Sequence, residues 1–151
     1  MSKHVLLVED NPTDEKLTLR AFLKSGIANE IVVVRDGAEA LEYLFCTGRH
    51  AVRAAAAAPA LILLDLNLPK VDGLEVLKRI RADDRTKLLP VVVLTSSKED
   101  EDIVRSYSFG ANAYVRKPLA FAEFAEATKA LGMFWLMLNE LPTQRTTSVP
   151  T

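Results

Sequence analysis

Five side chains in this sequence carry chemistry that an ordinary surface does not need: the acidic pair Glu9-Asp10, Asp65, the hydroxyl of Thr95 and the ammonium of Lys117. Each lies at the end of a short run of apolar residues. One acidic residue in such a place is usually a turn former or a helix cap. Several coincident placements ask for more. Two bare carboxylates about 4 Å apart repel by about 4 kcal/mol at an effective dielectric near 20. Three of them together call for a divalent cation. A few oxygen donors suit magnesium, which keeps waters and binds through one or two carboxylates plus phosphate oxygens. Zinc is disfavoured, since the chain has two histidines and one cysteine, none of them in these motifs. A cation, a lysine, a hydroxyl and a spare carboxylate together could hold a phosphoryl group and let an aspartate attack one.

The elements that must position this set are legible from the hydropathy pattern. Val5–Val8, Ile31–Val34, Leu61–Leu64, Val91–Leu94 and Ala113–Val115 are apolar without alternation, as suits strands buried on both faces. Helical patterns separate them, over Pro12–Ser25, Ala38–Phe45, Leu74–Ile80, Lys98–Phe109 and Phe121–Leu141. Asn11-Pro12 reads as a cap and first-turn proline, and Asp36 and Asp72 as turn or cap residues. Strict β-α alternation predicts an α/β fold, a doubly wound parallel sheet covered by helices on both faces. Strand order is not readable from the pattern. Ligands of such sheets sit beyond the carboxyl ends of the strands, where the polar residues above would gather.

The remaining composition narrows the field. At 151 residues the chain is one domain. With 19 basic and 20 acidic residues its net charge is −1, which gives no general attraction to nucleic acid or an anionic membrane. Cys46 alone excludes a disulfide framework. Four consecutive apolar residues near the N-terminus are too few for a signal peptide, and no run approaches a membrane span, so a cytoplasmic setting is expected. Residues 1–141 are expected to form the domain and Pro142–Thr151 a disordered polar tail. The long connection Thr47–Ala60, with its alanine run Ala54–Ala58, reads as a surface insertion or frayed turn. His4 and His50 belong to no motif and read as strand-end or surface residues, and Cys46 as a packing residue.

The segments Leu6–Asn11, Leu61–Pro69, Asp72-Gly73, Pro90–Ser96 and Ala113–Pro118 together resemble the receiver domain of bacterial two-component response regulators, over roughly residues 3–131. The resemblance implies a flavodoxin-like (βα)5 sheet of strand order 2-1-3-4-5. It implies that Asp65 accepts a phosphoryl group from a histidine kinase and that Glu9, Asp10 and Asp65 hold Mg2+, with the backbone carbonyl of Asn67. Thr95 would donate to a phosphoryl oxygen and Lys117 would pair with the phosphate. Lys117-Pro118 would be a cis peptide, and Tyr114 would be the switch aromatic that turns inward as Thr95 moves. Asn67 and Ser97 are candidates for tuning the lifetime of the acyl phosphate.

The last helix is longer than is usual for that family. Phe124, Leu131 and Leu138 recur at a heptad interval, and Leu131–Leu138 is almost wholly apolar. The surplus apolar surface predicts an interaction face, most simply a symmetric homodimer, through Phe121, Phe124, Phe134, Trp135 and Leu138. A helix folded back on its own domain is the other reading. Phe134-Trp135, Leu141-Pro142, Asp65–Pro69 and the long connection before the third strand resemble the single-domain regulators that partner phytochrome-type histidine kinases. The segment beyond Pro118 is too short for a DNA-binding domain, so output is expected through a protein partner, a dimer change or a phosphorelay. An intermediate or phosphate sink in a relay with another sensor stays open. So does a phosphatase with an aspartyl-phosphate intermediate, although Asn67 stands where such enzymes carry a second aspartate. A flavin-binding module is disfavoured by the acidic Glu9-Asp10, and a constitutive scaffold by the intact site.

Overall fold

The computed structural model describes residues 3–53, 58–97, 99–118 and 120–142. Five parallel strands, β1 (Val5–Val8), β2 (Ile31–Val34), β3 (Leu61–Leu64), β4 (Val91–Thr95) and β5 (Ala113–Arg116), form one sheet of order β2-β1-β3-β4-β5. The crossovers carry α1 (Pro12–Lys24), α2 (Gly37–Phe45), α3 (Gly73–Ala82) and α4 (Asp100–Ser108), and α5 (Phe121–Gly132) closes the order. This is the flavodoxin-like arrangement that the sequence resemblance implies.

The central strands β1, β3 and β4 are buried at every residue. Alternation along them feeds two cores. Leu6, Val8, Ile62 and Leu64 face Leu41 and Leu44 of α2 and Val76, Leu77 and Ile80 of α3. Val5, Leu7, Leu61 and Leu63 face Ala21 and Phe22 of α1 and Phe124 of α5. A slip of one residue would exchange the two sets, so both cores fix the register.

Capping accounts for the helix starts. Asn11 accepts from the Thr13 and Asp14 N–H groups ahead of Pro12, Asp36 accepts from Glu39 N–H, and Asp72 from Glu75 N–H. Strands β4 and β5 each run one residue further than the apolar pattern, because Thr95 pairs with Arg116 in the ladder. Both histidines have side-chain partners. His4 is buried with Nε2 2.8 Å from the Tyr43 hydroxyl, and His50 lies 3.1 Å from Glu39.

The C-terminal helix departs from expectation. It is α-helical to Gly132 and continues as a π-helical turn over Met133–Leu138, closed by the Asn139 N–H donating to Phe134 O at 2.7 Å. Lys3 Nζ donates to the Leu136 carbonyl at 3.0 Å and so caps the segment from the other end of the chain. Leu136 is buried, and Trp135 and Leu141 pack partly against the same core. One side of the extension therefore folds back. Met133, Phe134, Met137 and Leu138 remain 45–69% exposed. Phe124, expected at a dimer surface, is 3% exposed and belongs to the core. Phe121 lies beneath Arg20 and Lys24, whose cations sit 4.8 and 5.5 Å from its ring centre. No described helix is long and apolar enough to cross a membrane. Residues 54–57 of the alanine run and 143–151 of the expected tail lie outside the described residues.

Candidate functional site

The carboxyl ends of β1, β3, β4 and β5 deliver Glu9, Asp65, Thr95 and Lys117 to one edge of the sheet. Each is held by its backbone. Glu9 N–H donates to Val34 O, Asp65 N–H to Val8 O and Lys117 N–H to Thr95 O, at 3.0, 3.2 and 2.8 Å. Glu9 is 1% exposed, Asp65 7% and Thr95 0%. Gly73, at the start of α3, makes room for Asp65: a Cβ there would meet the Asp65 carbonyl and come within 2.6 Å of Leu66 Cα.

Lys117 is the hub. Its Nζ lies 2.6 Å from Glu9 Oε1, 2.8 Å from Asp14 Oδ2 and 3.1 Å from Asp65 Oδ2. An ammonium has three N–H donors, so the set is saturated. Burial works against the charge of Lys117, but the hydrogen bonds to Asp14 and Glu9 and the charge of Asp65 outweigh it and hold its pKa above the usual lysine value. Burial pushes the Glu9 carboxyl up to about 7, with Lys117 opposing and the charge of Asp65 adding to the rise.

Carboxylate oxygens of Glu9, Asp10 and Asp65 lie within 4.8 Å of one another. Asp10 is exposed, so a cation would reach the site from solvent. Asp14 adds a fourth carboxylate beside this group through its contact with Lys117, and the donors are all oxygen. This set fits a hard divalent cation. The Asn67 N–H donates to Asp65 Oδ1 at 3.3 Å, which places that residue beside the cluster.

Thr95 and Tyr114 form a second layer. Thr95 Oγ1 accepts from the Ser97 N–H at 3.4 Å, and the Tyr114 hydroxyl donates to Ser97 O at 3.1 Å. Ser97 Oγ in turn donates to Asp102 of α4 at 2.6 Å. The two residues expected to act as a switch thus meet at the same loop residue. The described residues contain no cis peptide, so Lys117-Pro118 is trans, against expectation. Lys117 Nζ reaches Asp65 with the trans link. Asp14 was missed by sequence reasoning. Its signal was its place in the first turn of the helix that leaves the Glu9-Asp10 corner.

Comparison with known proteins agrees with this geometry. The response regulator receiver domain family matches residues 5–129. A probable methanogenesis regulatory protein, FilR2 of Methanothrix harundinacea, is 42% identical over 91% of this chain and 86% of its own. Response regulator Rcp1 of Synechocystis is 38% identical over 93% of each chain. Rcp1 has also been solved in a Mn(2+)-bound form, which superposes with a TM-score of 0.85 and covers 93% of this chain and 99% of that one. The phosphorylated cyanobacterial phytochrome response regulator RcpA superposes with a TM-score of 0.87 at 42% identity, over 95% of this chain and 100% of that one. The chain belongs to the response regulator receiver domains, a family of signalling proteins rather than metabolic enzymes, and is homologous to phytochrome response regulators.

Proposed function

We propose that this protein is a stand-alone phosphoacceptor, in which Asp65 receives a phosphoryl group from the phosphohistidine of a phytochrome-type histidine kinase. The observation that carries the reading is Lys117 Nζ, 3.1 Å from Asp65 Oδ2 in a pocket of carboxylates. A nucleophilic carboxylate beside a fixed cation is the arrangement needed to gather a phosphoryl group and neutralise charge as it transfers. Glu9, Asp10 and Asp65, with the Asn67 carbonyl, would hold magnesium, which supplies further positive charge for the carboxylates and phosphoryl oxygens. Thr95 then donates its hydroxyl to a phosphoryl oxygen and draws on the Ser97 loop, which the Tyr114 hydroxyl also holds.

The phytochrome pairing rests on the likeness to Rcp1 and RcpA. FilR2, similarly identical but named a probable methanogenesis regulatory protein, favours a second reading in which the kinase carries another sensor. Residues 1–141 work as one cytoplasmic unit in either case. Output passes through the exposed face of the last helix as a homodimer or partner contact, with Phe134 and Leu138 at its centre and Phe121 and Trp135 at its rim.

The test is intact mass after incubation with magnesium and acetyl phosphate, for the wild type and Asp65→Asn. One added phosphate on the wild type alone is expected. Addition to both would refute the site. Transfer from a phytochrome-type kinase faster than from an unrelated one then separates the two readings of the partner.

A further inference from the structure

Asp14 has a position the receiver chemistry does not require. It is the third residue of α1, where an acidic side chain commonly reaches back to the N–H of the cap residue. Here that N–H, on Asn11, donates to Glu9 Oε2 at 3.3 Å instead. Asp14 is thereby free to turn its carboxylate to Lys117. Its backbone is pinned on both sides, with N–H on Asn11 Oδ1 at 3.1 Å and C=O accepting from Thr18 Oγ1 at 2.8 Å. Its side chain is 29% exposed, against 1% and 8% for those of the other two partners of Lys117.

Those other two partners, Glu9 and Asp65, belong to the carboxylate group that could hold a cation, and Asp14 does not. Two of the three hydrogen bonds of Lys117 therefore use groups with a competing task. Only the bond to Asp14 is uncommitted. We propose that Asp14 is the positioning residue for Lys117: its carboxylate keeps a hold on the ammonium when a cation claims Glu9 and Asp65, so that Lys117 has a partner outside the cation-holding group and competes less with the cation there. The inference rests on the phosphoacceptor reading of the site and deepens it.

The alternatives are specific. Asp14 could serve only α1, through favourable charge at a helix N-terminus. It could also attract a cation through space as one more negative charge, without Lys117. A double-mutant cycle separates these. Mn2+ binding, followed by the loss of its free-ion paramagnetic resonance signal, is measured for the wild type, Asp14→Ala, Lys117→Ala and the double variant, with thermal melts of each. Asp14→Ala is expected to weaken Mn2+ binding about threefold in the wild-type background and to leave it unchanged, within about 1.3-fold, in the Lys117→Ala background. Asp14→Glu should restore wild-type affinity. The same loss in both backgrounds, or a lowered melting temperature with no loss in either, overturns the proposal. Failure of the wild type itself to bind Mn2+ would instead overturn the reading of the site on which it rests.

Discussion

The two unusual regions of this molecule, the carboxyl edge of the sheet and the C-terminal helix, hold their misfits in opposite ways. At the sheet edge, charges are buried: Glu9, Asp65 and Lys117 have side chains 1%, 8% and 6% exposed and satisfy one another. On the last helix, apolar side chains are exposed: Met137 and Leu138 are 69% and 68% accessible beside a buried Leu136. A buried charge cluster is expensive to leave incomplete, so it is ready for a small charged ligand. An exposed apolar face loses nothing specific in water and gains by meeting another surface. In the proposed function the first region is the input and the second the output of one signal.

The sharpest way to break the contrast is at Asp65, the proposed nucleophile. Asp65→Asn removes the attacking carboxylate without changing size, and stable phosphorylation should disappear, as read by intact mass. Gly73→Ala tests the backbone beneath it. The added methyl meets the Asp65 carbonyl and Leu66 Cα, so about 1–3 kcal/mol of stability should be lost in denaturant unfolding. The same methyl on the exposed face of the last helix would cost almost nothing. There the informative change is Phe134→Ser with Leu138→Ser. It should weaken self-association about tenfold or more by sedimentation while leaving the melting temperature nearly unchanged. Unaltered sedimentation would make that face a partner site instead.

The same contrast governs how much of each region was legible in the sequence. Buried parallel strands write themselves as unbroken apolar runs, and Asn11, Asp36 and Asp72 mark the helix starts, so the sheet edge could be assembled from the sequence. Asp14 could not, because its role depends on Lys117, which lies 103 positions away. The last helix misled for a geometric reason. Phe124, Leu131 and Leu138 share a heptad spacing, but a straight helix drifts about 20° per heptad, and the π turn over Met133–Leu138 rotates the face further. Phe124 consequently ends in the core and Leu138 in solvent.

Proton and cation compete at the input site. Burial raises the Glu9 carboxyl from its ordinary value of 4.5 to about 7 in the folded protein. Between those values the native state binds more protons than the unfolded chain, so the contribution of Glu9 to metal-free stability falls as pH rises through the window. Lys117, raised above its usual value of 10.5, contributes equally across this window and is lost only at higher pH. A cation held by Glu9 must displace its proton. Magnesium affinity should therefore be about tenfold lower at pH 6 than at pH 8, by titration calorimetry. Equal affinities would place the cation away from Glu9.

The smallest effect lies between the two regions. The Tyr114 hydroxyl donates to Ser97 O, and the Ser97 hydroxyl is bound to Asp102 at the start of α4. Tyr114→Phe removes one partly buried hydrogen bond and should cost about 0.5–1.5 kcal/mol or less. The ring keeps its packing, and Asp65 and Lys117 are untouched, so phosphorylation by acetyl phosphate should proceed at the wild-type rate. What should change is communication. If Thr95 on engaging the phosphoryl group draws on the loop that Tyr114 holds, the phosphorylation-dependent change in sedimentation should shrink in Tyr114→Phe. If the change persists at full size, Tyr114 is only a half-buried strand residue, and the signal leaves the sheet edge by another route.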